Sequence, residues 1–229
     1  MGGSNIKYGK ICSGTFISRP NRFIAKVNVG GVTETVHVKN TGRCKELLTD
    51  NARVILECAP DGSSRKTKFD LIAVYKGDLL INMDSQSPNK AVYEFIPTLF
   101  EDVTLIRPKT KYGESRFDFY IEAGGSKIFL EVKGCTLERD GVCLFPDAPT
   151  KRGVKHIKEL ADAVKHGYKA YILFVIQMNR ARYFTPNAET HPEFAAALRE
   201  AEKRGVNVLA YTCRVTEDSM VIDKRVTVK

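Results

Sequence analysis

Three side chains able to work together on a phosphodiester, Asp118, Glu131 and Lys133, fall within the stretch "RFDFYIEAGGSKIFLEVK". The stretch reads as two strands folded about Gly124 and Gly125, and a type I′ turn, which needs positive φ at both central residues, suits that pair. Such a turn sets Ala123 against Ser126, and stepping outward it sets Ile121 against Ile128, Phe119 against Leu130 and Phe117 against Val132. One face is then wholly apolar, as a core face must be. The other face places Asp118 opposite Glu131 and Arg116 opposite Lys133.

Directly opposed residues have Cβ atoms about 4.5–5.5 Å apart, and like charges at that spacing destabilise the pair. Two arrangements relieve the repulsion. A hard divalent cation, Mg²⁺ or Mn²⁺, shared by Asp118 and Glu131 is one, since such ions take carboxylates, waters and phosphate oxygens. Lys133, two residues past Glu131 on the same face, would then orient an attacking water beside the ion. The other is a charge ladder in which Arg116 and Lys133 neutralise the two acids diagonally, without metal.

These residues need a scaffold, and the flanking sequence supplies one. "PTKRGVKHIKELADAVKHG" predicts a helix with Thr150 as N-cap, Gly167 as its stop and an apolar face of Val154, Ile157, Leu160, Ala161 and Val164. "KAYILFVIQ" predicts a strand covered on both faces, and "THPEFAAALREAEKRG" a helix opened by a Thr190/Glu193 capping box, followed by a strand at "VNVLAY". Strands alternating with helices imply an α/β core with a mixed sheet. A further helix starts at Ser87, read as N-cap, with Pro88 in its first turn. Lys151, Arg152, Lys155 and His156 gather at a helix start, where backbone N–H groups favour phosphate. His156 itself reads as an ordinary surface or core histidine.

The first 85 residues follow another rhythm. "GTFISRP", "RFIAKVNV", "TETVHVK", "RVILECA" and "KFDLIAVYKGDLLIN" are short β runs, with "NTGRCKELL" (Asn40 to Leu48) reading as a short helix between the third and fourth. Five strands interrupted there predict an OB-fold-like β-barrel over residues 1–85, followed by an α/β domain over 86–229, α+β overall. OB-folds hold single strands with cations and aromatic platforms. Arg19, Arg22, Lys26, Lys39, Arg43, Arg65, Lys66 and Lys68 are the candidate DNA-binding cations here, joined by Lys151, Arg152 and Lys155; Phe16 and Phe23 are expected in the barrel core rather than as platforms.

Composition agrees with a folded polyanion binder. The 229 residues are 43% hydrophobic and carry a formal charge of +9, with 13 Lys/Arg against 8 Asp/Glu in the first 85. The six cysteines lack C-x-x-C or Cys/His ligand spacing, so they read as small buried hydrophobes in a reducing compartment. The opening "MGGSNIKYGKIC" has no apolar signal segment, and no run reaches the roughly 18 apolar residues of a membrane span. The expected location is the cytoplasm. DNA is the expected partner, with neither a membrane nor a small sugar ligand; the oligomeric state is open, a dimer being one option.

"YGESRFDF", "LEVKGCTL", "GVCLFPDAPTKRGVKHIKEL", "GYKAYILFVIQ" and "HPEFAAALREAEKRGVNVLAY" together resemble the prokaryotic sugar fermentation stimulation protein A family along nearly the whole chain. The Asp118, Glu131-Val132-Lys133 pattern resembles the wider PD-(D/E)xK nuclease superfamily, although Phe117 stands where the superfamily's name has Pro. The resemblance implies an OB-like domain, a nuclease-like domain and DNA binding, read historically as regulation of sugar-utilisation genes. It also implies that Glu94, on the helix from Pro88, sits where the superfamily often keeps an acidic residue touching the metal through water. Glu114 shares parity with Asp118 and serves instead if the strand extends that far, and Gln177 either orients site water or caps its strand end. Two functions follow: a Mg²⁺- or Mn²⁺-dependent deoxyribonuclease, or a non-catalytic, largely sequence-independent DNA-binding regulator. No helix-turn-helix, Gly-rich nucleotide loop or nucleophile elbow is present.

Overall fold

The computed structural model of the chain describes residues 6–40 and 42–229. Met1 to Asn5, part of the segment read for a targeting signal, and Thr41, inside the expected short helix, lie outside the described residues. The chain opens with β1 (Ile6–Lys7), β2 (Ile11–Asn21), β3 (Ile24–Val29), β4 (Val32–Val38), β5 (Arg53–Cys58), β6 (Phe69–Lys76) and β7 (Leu79–Asn82). Strands β2 to β6 pair antiparallel with one another, and a parallel contact of β4 with β6 at His37↔Asp70 and Val38↔Leu71 closes them into an OB-like five-strand barrel. Phe16, Val27, Val36, Leu56 and Leu71 fill it.

Two expectations for the barrel fail. Cys44, Leu47 and Leu48 do plug the barrel end, but through a single turn in which the amides of Leu47 and Leu48 both reach the Cys44 carbonyl, not through a helix. Cys44 has φ +46, outside the helical region, and Asn40 Oδ1 takes the Gly42 amide, so no run of helical residues can start there. Phe16 is buried as expected, whereas Phe23 is 50% exposed, with the Arg22 guanidinium 5.4 Å from its ring centroid.

The closure point of the barrel carries a charged cluster. Arg65 grips both oxygens of Asp70, and His37 Nδ1 lies 2.9 Å from Asp70 Oδ1. Burial pushes the Asp70 pKa up, but the hydrogen bonds of Arg65 and His37 outweigh it and hold the carboxyl below its usual range. A depressed folded pKa gives stability that is complete above the unfolded value of about 3.9 and is lost as pH falls through the folded pKa. Asp70→Asn is therefore expected to cost about 1 kcal/mol at pH 7, the low end for a charged hydrogen bond because Arg65 returns partly to water. Urea denaturation at pH 7 and pH 3 should show the gap between wild type and variant closing at the lower pH.

After the barrel come α1 (Ser87–Leu99), β8 (Val103–Tyr112), β9 (Ser115–Ala123), β10 (Ser126–Cys135), β11 (Leu137–Arg139), β12 (Val142–Phe145), α2 (Lys151–Lys165), β13 (Lys169–Ile176), β14 (Tyr183–Pro186), α3 (Pro192–Lys203), β15 (Asn207–Thr216) and β16 (Ser219–Arg225). The main sheet runs β1-β16-β15-β13-β10-β9-β8, with β10, β13 and β15 parallel and the outer pairs antiparallel. A small sheet, β11-β12-β14, lies beside it. The mixed α+β architecture matches the sequence expectation. No helix among the described residues is long and apolar enough to cross a membrane.

Strand β13 is covered on both sides. Ile172, Phe174 and Ile176 face the core under α2 and α3, which is continuous with the barrel interior; Leu173 and Val175 face the second core, under α1. Thr150 caps α2 as expected, its hydroxyl accepting from the Gly153 amide at 3.0 Å, and Gly167 follows the helix end with φ +85. The other two caps differ. Ser87 is the first residue of α1, where Gln86 stands as N-cap, and its buried hydroxyl lies 2.7 Å from the Asp84 carbonyl. Thr190 takes the Asn187 side-chain amide instead of capping α3, which starts from His191. In each case a hydrogen bond to the residue three positions earlier replaced the capping one. All six cysteines are free thiols, four of them buried.

Candidate active site

The hairpin of β9 and β10 turns at Gly124 and Gly125 with φ +51 and +69, and its register runs from Ala123↔Ser126 to Phe119↔Leu130 as the diglycine turn requires. It stops there. One pair further on, the expected Asp118–Glu131 opposition is replaced by a splay: the ladder with β9 ends at Leu130, while β10 continues along its parallel partner β13 to Cys135. Asp118 fills the gap: its Oδ2 accepts from the Val132 amide at 2.9 Å, the peptide N–H immediately after Glu131. Phe117 crosses to the other side, its ring 5.2 Å from Phe129 and 6.0 Å from His156, so it does not share the face of Phe119. Arg116 pairs in register with Lys111 and not with Lys133.

Asp118 Oδ1 is held by two residues that no local pattern joins to it. Asn89 Nδ2, from the first turn of α1, donates at 2.8 Å, and Lys109 Nζ donates at 2.5 Å from β8, where Lys109 adopts φ +56. A left-handed non-glycine residue inside a strand is uncommon and costs energy. Here it accompanies an ion pair to the carboxylate.

Glu131 is buried on the α2 side. Its Oε1 accepts from Lys133 Nζ at 2.6 Å and from His156 Nδ1 at 2.6 Å. Arg152 Nε, which can only donate, points at His156 Nε2 from 3.3 Å, so Nε2 accepts and Nδ1 carries the proton given to Glu131. Burial raises the Glu131 pKa, but the His156 hydrogen bond and the charge of Lys133 prevail and keep the carboxyl below its ordinary value. Glu131 Oε2 is buried with no hydrogen-bond partner among the described residues. A buried carboxylate oxygen without a donor is costly. It is the kind of ligand atom a hard cation takes, so Glu131 fits a Mg²⁺ or Mn²⁺ ion, whereas both oxygens of Asp118 are already held by Val132, Asn89 and Lys109.

The secondary candidates separate. Glu94 is exposed on α1 and shares a cleft with Asp118 and Asn89. Glu114 lies in the turn before β9, not on the strand; its amide reaches Glu159 and its carbonyl takes Lys155. Gln177 is buried where β13 ends, its Nε2 3.0 Å from Asn82 Oδ1 and 3.1 Å from the Asp84 carbonyl. It fastens the exit of the barrel to the main sheet, a structural role, and Gly134 must lack a side chain because a Cβ there would stand 2.5 Å from Gln177 Oε1.

The candidate cations divide as well. Lys151, Arg152 and Lys155 are exposed along the start of α2, the helix that carries His156 to Glu131. Arg22, Arg43, Lys66 and Lys68 are exposed on the barrel, while Lys26 is half-buried against the Thr35 hydroxyl at 2.7 Å. Arg19, Lys39 and Arg65 are committed internally. Arg19 donates to the carbonyls of Arg22, Asn40, Gly42 and Arg43, Lys39 pairs with Asp84 at 2.8 Å, and Arg65 holds Asp70.

Sequence reasoning passed over Asn89 and Lys109 and gave His156 no special role. For His156 a clue existed: position 156 lies on the buried stripe of α2 with Gly153, Ile157 and Leu160, and a polar residue there needs a partner. A second basic surface was missed outright. Arg180, Arg182, Lys224 and Arg225 line a groove of about 670 Å³, and among the described residues Arg180 alone of the four makes an ion pair, to Asp78.

Residues 17–83 match the family model described as SfsA N-terminal OB domain, and residues 86–219 match that described as sugar fermentation stimulation protein RE domain. A sugar fermentation stimulation protein homolog of Clostridium beijerinckii is 57% identical over 95% of this chain and 96% of its own. One from Desulfitobacterium hafniense is 56% identical, covering 98% of both. Among solved structures, Pyrococcus furiosus SfsA in complex with Ca²⁺ is similar over the full length of both chains, with a TM-score of 0.88 at 24% identity.

Proposed function

The chain belongs to the sugar fermentation stimulation protein family, and on that premise we propose that it is a divalent-metal-dependent DNA phosphodiesterase acting through Asp118, Glu131 and Lys133. The observation that carries the reading is the buried, unpartnered Oε2 of Glu131, one peptide unit from the amide that holds Asp118. Asp118 and Glu131 would hold Mg²⁺ or Mn²⁺. When bound, the ion supplies Lewis acidity toward phosphate oxygens and acidifies a water. Lys133 Nζ, fixed on Glu131, orients the attacking water and offsets the charge that grows on the phosphate. His156 aims the Glu131 carboxylate, and Arg152 fixes the tautomer of His156. The presence of Ca²⁺, another hard oxygen-seeking ion, with the Pyrococcus furiosus relative supports the choice of ion class. The direct test is incubation with Mg²⁺ or Mn²⁺ on single-stranded, duplex and branched DNA, with chelator as control. Metal-dependent cleavage of at least one form is expected.

One observation favours a second reading, a non-catalytic DNA-binding regulator: each acid already has basic company, Lys109 on Asp118 and Lys133 with His156 on Glu131. Absence of cleavage on all three substrates, with DNA retardation intact, selects it.

Both readings require backbone-directed binding. Affinity for DNA is expected to fall steeply with salt, and replacing Arg182 and Arg225 by Glu should weaken it on every sequence while making the salt slope shallower by about one for each phosphate no longer neutralised. Gel retardation across a salt series checks this. An affinity indifferent to salt would remove phosphate contacts from both readings.

A further inference from the structure

Between α1 and the β8–β9 edge lies a cleft of about 330 Å³ walled by the apolar surfaces of Tyr93, Phe119 and Pro108, with Lys90, Lys109 and Asp118 also lining it. Its volume falls within the roughly 300–1,000 Å³ of small-ligand sites. We propose that it receives one unpaired nucleobase of the strand being cut, stacked on Tyr93, so that the substrate is single-stranded or locally unpaired DNA; this rests on the phosphodiesterase reading of Asp118.

Four large hydrophobic side chains among the described residues are exposed, and three of them (Ile17, Phe23 and Val32) belong to the barrel. Tyr93 is the fourth, 46% exposed and standing beside the candidate metal ligand. Phe119 supports it from below, the ring centroids 6.2 Å apart and tilted by 40°. The outer face of Tyr93 is thus open and held in place. A nucleobase has the shape such a face wants, flat and apolar on its faces with polar edges, and base–aromatic stacking is tolerant of sequence. Lys109 offsets the charge of Asp118, so Lys90 is the cation of the cleft left for a phosphate beside that base, with Glu94 also on the wall. An intact duplex cannot offer a base face to the cleft, since each base is already stacked on both sides; the strand must be unpaired there, as for enzymes that take a base out of the stack.

The test uses the full chain in chelator, so that nothing is cut, and oligonucleotides carrying 2-aminopurine in single-stranded or duplex form. The chain contains no Trp, so the fluorescence of the base analogue is read without indole background. Wild type should bind the single strand more tightly than the duplex at equal salt and quench its fluorescence. Tyr93→Ala should lose the quenching and about tenfold in single-strand affinity, with an unchanged salt slope, and Tyr93→Phe should keep both. Single-strand binding without quenching, an equal loss on duplex for Tyr93→Ala, or a protein dimer that Tyr93→Ala dissociates would each overturn the proposal while leaving the phosphodiesterase reading intact. Failure to retain any DNA at low salt would instead defeat both.

Discussion

Lys133→Ala is expected to lower metal-dependent DNA cleavage by about 10²–10⁴-fold while DNA affinity in chelator changes little. The size follows from what is removed. A positioned acid–base or water-orienting group is worth about that factor, and no other amine approaches Glu131 among the described residues, since Lys109 is bound to Asp118. Affinity is spared because Lys133 is one half-buried cation in a chain with 36 Lys and Arg. Asp118→Asn should be as damaging for another reason: it removes a ligand charge but keeps the acceptor for Val132 and the contact with Asn89, so the splay of β9 from β10 persists. Circular dichroism and retardation assays would check that both variants fold and bind, and single-turnover cleavage would then measure the loss. Equal rates for wild type, Lys133→Ala and Asp118→Asn would assign any cleavage to a contaminant and leave the regulator reading in place.

Much of the scaffold was legible because it rests on local rules. The diglycine turn fixes the β9–β10 register, the Thr150 hydroxyl caps α2, and the unbroken apolar run of β13 marks a strand covered on both faces. What the sequence hid depends on contacts distant along the chain. The register reading extended the hairpin three pairs too far, through Arg116 and Lys133, because nothing in the hairpin itself marks that its ladder ends at Phe119↔Leu130 while β10 continues along β13. Asn89 and Lys109 reach Asp118 from two separate elements, so no spacing rule links the three. Arg19 was misplaced among the DNA cations for a related reason: a side chain that satisfies four loop carbonyls looks in one dimension like any surface arginine. Phe23 erred in the opposite sense. It directly follows Asn21–Arg22 at the β2–β3 turn, where the Asn21 side chain caps the amides of Phe23 and Ile24 and turns the ring outward.

His156→Ala should cost about 3 kcal/mol, or roughly 10 °C in Tm for a chain of this size, and should also slow cleavage. The reason is Glu131. With His156 present, one oxygen of the buried carboxylate has two donors and the other has none; without it, Lys133 alone must hold the charge. Removing a donor to a buried carboxylate is costly chiefly because the charge stays buried, so the penalty should shrink once that charge is removed too. Glu131→Gln in the His156→Ala background is therefore expected to recover about 2 kcal/mol of stability, measured by urea denaturation as the coupling in a double-mutant cycle. It should recover no cleavage, since the ligand charge is gone. This pairing of outcomes separates folding from chemistry at one carboxylate: restored stability without activity means that His156 serves by keeping a costly anion in place for the reaction. Additive stability losses in the cycle would mean that the contact between His156 and Glu131 contributes nothing of its own, and the assignment of His156 as the positioning residue would fall.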